Sequence, residues 1–300
     1  MTYVGVDVGG TKVLAVRIDA AGAVEATATR PMPGLAAGPD EVEAAVALAA
    51  RDVYGDTEPR ALGVSAAGLV DGAGERFLFG AHLPWRDAPV RRTLAERTGL
   101  PVVLDNDANC AAHAELVSGA ARGVGSALLI TIGTGIGGAV VLGGRVVRGA
   151  HGLAGEFGHM QVVPNGLACE CGLRGCWEQY CSGRALERVT RVALGRHLDG
   201  PEVTALARAG NEVALHSFAS VGTWLGVGAA GLVSAFDPQL VIVGGGVSAV
   251  GDLLLGPARH ALAGALQGTA YRAVPDLVPA LLGPEAGAIG AALLARDGRS

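Results

Sequence analysis

Tyr3 to Asp7 carries short apolar residues in alternation, the pattern of a buried β-strand. Gly9 and Gly10 turn the chain into a second strand, Val13 to Ile18, and a third strand is predicted over 24–30. A helix is predicted over 40–52, with Asp40 as its cap and Glu41 and Glu43 in the first turn, where the helix dipole favours negative charge. Leu62 to Ser65 reads as a buried strand, and the helix predicted over 89–98 is closed by Gly99 and followed by Pro101. The next strand, Val102 to Leu104, delivers Asp105, Asn106 and Asp107 at its carboxyl end.

The second half repeats this opening. Leu129-Ile-Thr-Ile-Gly-Thr-Gly-Ile-Gly-Gly138 has the same plan as Val4-Gly-Val-Asp-Val-Gly-Gly-Thr11: a short buried strand, a glycine turn and a return strand. Helices are predicted over 183–194 and 212–233, a strand over 240–243 ending in Gly244, Gly245 and Gly246, and a last helix over 285–295. Two related α/β lobes facing each other would leave a cleft between them. With 300 residues, half of them apolar, the chain is long enough for two cores.

Charge narrows the partners. The net charge is −5, basic runs are absent and Lys12 is the only lysine, which argues against nucleic acid, since phosphate neutralisation needs clustered cations. Two stretches without charge, 126–144 and 218–236, have the length of membrane spans. The glycines of the first fit strand, turn and strand, while the Gly, Ala, Ser and Thr of the second fit a helix packed closely on a sheet. Neither stretch has basic flanks to set a topology, so the pattern predicts no membrane segment. No signal peptide is evident and the odd number of cysteines argues against a disulfide framework, so the expected compartment is the reducing cytoplasm.

The segment from His159 to Glu178 holds three of the five cysteines. Cys169, Cys171 and Cys176 with His159 make a Cys3His set, and Gly172 and Gly175 let the backbone fold back so that the sulfurs converge. A set with all four positions filled is that of structural zinc, because catalytic zinc keeps one position open. Free cysteines are more often small buried hydrophobes, but the charged and glycine-rich surroundings here do not suit a core element. Cys110 and Cys181 have no such pattern and are expected to pack in the interior.

Glycine turns after strands bring backbone N–H groups close to an anion. There are three: Gly9-Gly10-Thr11-Lys12, Gly133 to Gly138, and Gly244 to Gly246. Singly, each also fits a plain tight turn; together, with Asp7 beside the first, they point to a nucleotide. Neither the dinucleotide fingerprint nor a Walker sequence is present. Asp107 is the candidate chemical centre, and its alternative role is to cap the helix beginning at Ala108. Yet Asp105, Asn106, Asp107 and Asn109 form a denser polar cluster than a cap needs, and such a cluster suits a polyhydroxylated ligand. A carboxylate there can take a hydroxyl proton as the oxygen attacks phosphorus.

Read in order, Asp7-Val-Gly-Gly-Thr-Lys12, Gly63-Val-Ser-Ala-Ala-Gly-Leu-Val-Asp71, Leu83-Pro-Trp85, Leu104-Asp-Asn-Asp-Ala-Asn109, Gly133-Thr-Gly-Ile-Gly-Gly138, Glu156-Phe-Gly-His-Met160, the cysteine segment through Glu178 and Val243-Gly-Gly-Gly246 carry a family resemblance. The chain resembles the ROK group of the sugar kinase and actin-like superfamily, most closely its bacterial glucokinases, over essentially its whole length. The resemblance implies a two-lobed actin-like (ribonuclease H-like) α/β fold with an interlobe cleft. The small lobe would span 1–107 plus a C-terminal helix over 285–300, and the large lobe 108–284. It implies ATP-dependent phosphorylation of a hexose at its 6-hydroxyl, with Asp107 as general base.

Around the sugar the resemblance places Gly68, Asn106, Asp107, Glu156, His159 and Glu178. Asp7 would hold Mg²⁺ through water, Gly9, Gly10, Thr11, Lys12, Thr134 and Gly135 would approach the phosphates, and Gly244, Gly245 and Gly246 the adenosine. His159 would be shared between zinc and a sugar hydroxyl. His82 stands where many relatives carry Asn. Mannose, fructose or an N-acetylhexosamine as acceptor, polyphosphate as donor and a non-catalytic sugar sensor are the alternatives. Sugar-responsive repressors on this fold carry a helix-turn-helix before the first strand, which the two residues ahead of Tyr3 do not provide. A homodimer or homotetramer is the expected assembly.

Overall fold

The strand and helix periods read along the chain set its elements, and the computed structural model describes residues 1–34, 36–56 and 58–298. In chain order they open with β1 (Thr2–Val8), β2 (Lys12–Asp19), β3 (Val24–Pro31), α1 (Pro39–Arg51), β4 (Leu62–Ala66), β5 (Leu69–Val70), β6 (Phe77–Phe79) and β7 (Arg86–Ala88). Then come α2 (Val90–Thr98), β8 (Val102–Asn106), α3 (Asp107–Ser118), β9 (Ser126–Ile132), β10 (Ile136–Leu142) and β11 (Arg145–Val147). The remainder is α4 (Gly183–Leu194), α5 (Gly200–Arg208), α6 (Glu212–Phe236), β12 (Leu240–Gly244), α7 (Asp252–Ala265), β13 (Asp276–Pro279) and α8 (Ala286–Asp297).

Contacts divide the chain into two units. The first takes Met1–Gly123, Gly144–Gly155 and the chain from Leu282 on; the second takes Val124–Gly143 and Glu156–Leu281. This differs from the boundary expected after residue 107, because α3 stays with the first unit. The reason is close packing of α3 on α8, where a methyl on Gly290 would overlap the carbonyl oxygen of Cys110.

In the first unit the strand order is β3-β2-β1-β4-β8, with β1 antiparallel to β2 and parallel to β4, and β4 parallel to β8. Val42 and Val46 of α1 and Val90 and Leu94 of α2 join Val4, Val6 and Val64 in one core. Ala288, Ile289, Ala292 and Leu293 of α8 join Leu14, Val16 and Ile18 in another. The helix lies so close that methyl groups on Gly5 or Gly63 would overlap the carbonyl oxygens of Ala288 or Ala291. Gly63→Ala is therefore expected to cost about 3 kcal/mol through overpacking. Chemical denaturation of the variant checks this, and an unchanged midpoint would show that α8 can retreat.

In the second unit β10, β9, β12 and β13 follow one another in the sheet, β10 antiparallel to β9 and the others parallel. This reproduces the β2-β1-β4-β8 plan, so the repeat read from the glycine turns is a repeat of topology. α6 has the length and apolar content of a membrane span. Phe218, Val221, Leu225 and Val233 on it are fully enclosed, and Gly226 lies against the backbone of α7.

Three elements of this unit lie beyond the sequence expectations: α5, α7 and β13. α7 contains Pro257, and β13 is a four-residue strand ending in proline. One cap is also corrected. The N-cap of α1 is Gly38 with Pro39 in the first turn, and Asp40 lies inside the helix, where it pairs with Arg97.

Candidate active site

β8 ends in a run of polar residues and α3 begins without an intervening loop. Asn106 is the N-cap: its Oδ1 accepts from the backbone N–H of Ala108 at 2.9 Å and of Asn109 at 3.1 Å. Capping therefore falls to Asn106 and not to Asp107, which occupies the first helical position. Asn106 Nδ2 donates to Asp107 Oδ1 and to the carbonyl oxygen of Gly68, both at 2.9 Å. One side chain thus ends the strand, starts the helix and orients the carboxylate.

Gly68 has φ +150°, and a side chain there would run into Phe77 and the carbonyl of Phe79, so its carbonyl reaches Asn106 only because the residue is glycine. Gly68, Asn106 and Asp107, expected around one ligand, are brought together. Asp105 is turned inward and buried, with both oxygens engaged by protein.

At the end of β1, Asp7 accepts a 2.5 Å hydrogen bond from Ser65 Oγ. Burial pushes its carboxyl above the ordinary value, with the Ser65 hydrogen bond and the charge of Lys12 opposing. Gly9 to Lys12 form the tight turn between β1 and β2, closed by the Gly9 N–H on the Lys12 carbonyl at 3.1 Å. Gly10, Thr11 and Lys12 are exposed, and Gly10 lies against His82. The buried thiol of Cys110 is raised by burial first, then by the charges of Asp105, Asp7 and Asp107. All three carboxylates therefore surround the start of α3.

In the second unit the loop carrying the cysteines folds back on itself. The Cys169 N–H bonds the Leu173 carbonyl at 2.9 Å, the Gly172 N–H bonds the Cys169 carbonyl at 3.0 Å, and Gly172 and Gly175 take left-handed φ of +89° and +77°. His159, Cys169, Cys171 and Cys176 each offer a ligand atom, and these atoms lie within 4.8 Å of one another. Cys171 and Cys176 sulfurs are 3.6 Å apart, and His159 Nδ1 is 3.8 Å from Cys169 Sγ. Tetrahedral zinc with Zn–S near 2.3 Å requires sulfurs about 3.8 Å apart, so the donor set and its spacing fit that metal. The Cys176 thiol is pushed up by burial first and then by its thiol neighbours.

The same loop ends at Glu178. Trp177 is fully buried, donates from Nε1 to the Trp224 carbonyl at 2.8 Å and lies against Gly228. So anchored, it directs Glu178 Oε2 to the backbone N–H of Ile136 at 2.9 Å, beside Gly135. Glu156 is raised by burial, lowered by His159 and raised again by Glu178, so the three residues form one cluster. Thr134 and Gly135 lie in the β9–β10 turn, and the N–H of Gly183, which opens α4, bonds the Gly133 carbonyl at 2.8 Å. A helix N-terminus there offers N–H groups and partial positive charge to an anion.

A cavity of about 800 Å³ opens beside this turn. Thr134 and Gly246 line it, whereas Gly244 is buried at the end of β12 and Gly245 packs against Ile132. Arg184 and Glu187 of α4 and Thr204 and Arg208 of α5 complete the wall. Sequence reasoning did not find the α5 residues. The signal was there in Asp199-Gly-Pro-Glu202, which forms a capping box with proline in the first turn.

Residues 3–298 match the ROK family. The chain is 40% identical over 311 aligned residues to a glucokinase of Streptomyces coelicolor, with 98% of this chain and 97% of that one covered. Among solved structures, a ROK family glucokinase from Streptomyces griseus in complex with glucose and AMPPNP superposes with a TM-score of 0.90 at 39% identity, covering 99% of this chain and 100% of the other. A ROK hexokinase from Thermus thermophilus superposes with a TM-score of 0.84 at 40% identity, covering 99% of each chain.

Proposed function

Because the chain belongs to the ROK family, we propose the following division of labour among its residues. The chain is an ATP-dependent hexose kinase, a glucokinase that transfers the γ-phosphate of ATP to the 6-hydroxyl of glucose. Asp107 accepts the proton of that hydroxyl as its oxygen attacks the γ-phosphorus and ADP departs. The observation that carries this role is the division of work at the start of α3: Asn106 caps the helix, and Asp107 is held by Asn106 Nδ2 without serving as the cap. Gly68, Asn106, Glu156, His159 and Glu178 bind the sugar. Gly9, Gly10, Thr11, Lys12, Thr134 and Gly135 face the phosphates. The adenosine lies in the 800 Å³ cavity, near Gly246, with Gly244 and Gly245 shaping the turn behind it.

Asp7 holds Mg²⁺ through water in this reading, and the ion supplies charge that offsets the β- and γ-phosphates. A buried carboxyl with Lys12 as a nearby cation suits that task. Zinc in the Cys3His set supplies rigidity. With His159 Nδ1 turned toward the sulfur of Cys169, its Nε2 is left for a sugar hydroxyl. The cytoplasmic compartment and a homodimer or homotetramer belong to the same proposal.

A coupled assay of ADP release across glucose, mannose, fructose and N-acetylhexosamines, with a parallel product assay using polyphosphate as donor, tests the function. Glucose with ATP is expected to give the highest kcat/KM. A higher value for another hexose, or for polyphosphate, would overturn the assignment of that substrate.

A further inference from the structure

The carboxylate next to the base is tied to a distant arginine. Asp105 has a side chain 6% exposed and Arg148 one 20% exposed. Arg148 Nε and Nη2 both donate to Asp105 Oδ2, at 3.0 and 2.6 Å. The other oxygen, Oδ1, accepts from the backbone N–H of Asn106 at 2.8 Å and from Asn109 Nδ2 at 3.2 Å. A continuous chain of hydrogen bonds therefore runs from Arg148 through Asp105 to Asn106, and from Asn106 Nδ2 to Asp107.

Arg148 is itself held. Its carbonyl accepts from the Ala154 N–H at 3.0 Å, which closes the loop 148–154. Within that loop Gly152 lies against the backbone of Val70, Asp71 and Gly72, closer than any side chain allows. The loop is thus seated at the end of β5, and the chain continues directly into Glu156. A fork of two N–H groups on a buried carboxylate fixes direction as well as charge, which a lysine cannot reproduce.

We propose that Arg148 is a positioning residue for phosphoryl transfer: through Asp105 it fixes the backbone of Asn106, and through the Asn106 side chain the orientation of Asp107. This rests on the reading of Asp107 as the base. Removing the guanidinium leaves Asp105 Oδ2 buried without its partner, so the carboxylate must turn or take a proton, and its hold on the Asn106 N–H goes with it.

Arg148→Ala, Arg148→Lys and the neutral pair Asp105→Asn with Arg148→Met are compared with Asp107→Asn and wild type. The pair removes both charges together, so it avoids a lone buried carboxylate and is the variant expected to fold if Arg148→Ala does not. A misplaced base is expected to lower kcat about 10- to 100-fold in all three Arg148 variants, with the KM for ATP unchanged. Guanidinium ion is expected to restore part of the Arg148→Ala rate in a saturable way while the folded fraction stays constant by circular dichroism, which separates positioning from a rescue of folding. A folded neutral pair with kcat within about twofold of wild type overturns the proposal. So does a loss of rate that only follows the folded fraction measured by circular dichroism, or an absence of guanidinium rescue. If Asp107→Asn itself keeps turnover, the reading of the base fails, whatever the Arg148 variants do.

Discussion

Asp107→Asn is expected to lower kcat by about a hundred- to ten-thousand-fold while glucose still binds. The two side chains have the same shape, and Asn106, not Asp107, caps α3, so the helix start should survive the change. What is lost is the ability to accept a proton. The 6-hydroxyl must then attack phosphorus with its proton still in place or lose it to water, and the positioning of the phosphates alone cannot supply the difference. Isothermal titration with glucose separates the two effects. Binding near the wild-type affinity with turnover gone supports the role of base, whereas a variant keeping more than a few per cent of kcat shows that another group takes the proton.

The cap of α3 was only half legible in the sequence. Asn106 and Asp107 are adjacent and both are good N-caps, so residue type cannot choose between them. The choice is made by the backbone, since Asn106 has the extended φ and ψ of −65° and 148° that a cap requires. The convergence of His159 with the three cysteines was legible because the four are close in sequence and glycine spacing reports the turn. The two related sheets were legible because a buried strand followed by a glycine turn occurs twice.

Longer-range features were not. Arg148 lies 43 residues from Asp105, and nothing in its neighbourhood marks it as the partner of a buried carboxylate. α7 was hidden by Pro257 in its interior, where proline normally ends a helix, and by a glycine at its cap. The wall of the 800 Å³ cavity is built from α4, α5 and the turns at 133–134 and 246–250, segments that only the fold brings together.

Cys176→Ala is expected to remove the metal, to raise the KM for glucose about tenfold or more and to lower the melting temperature, with a smaller effect on kcat. Wild type should carry about one zinc per chain by elemental analysis, as a filled four-ligand site requires. Trp177 and Glu178 close the cysteine segment. One end of this segment is fixed by Trp177, which is buried and bonded to Trp224, so it should stay in place without metal. Backbone hydrogen bonds, among them the Cys169 N–H on the Leu173 carbonyl, hold the fold of the loop, whereas the His159 ring lies against the thiol set, its Nδ1 3.8 Å from Cys169 Sγ. Loss of Cys176 is expected to free the His159 ring, while Glu178 keeps its hydrogen bond to the Ile136 N–H and Asp107, on the other unit, keeps its own support from Asn106. The defect therefore falls on sugar binding more than on proton transfer. Metal-free protein with an unchanged KM for glucose would refute this division of roles.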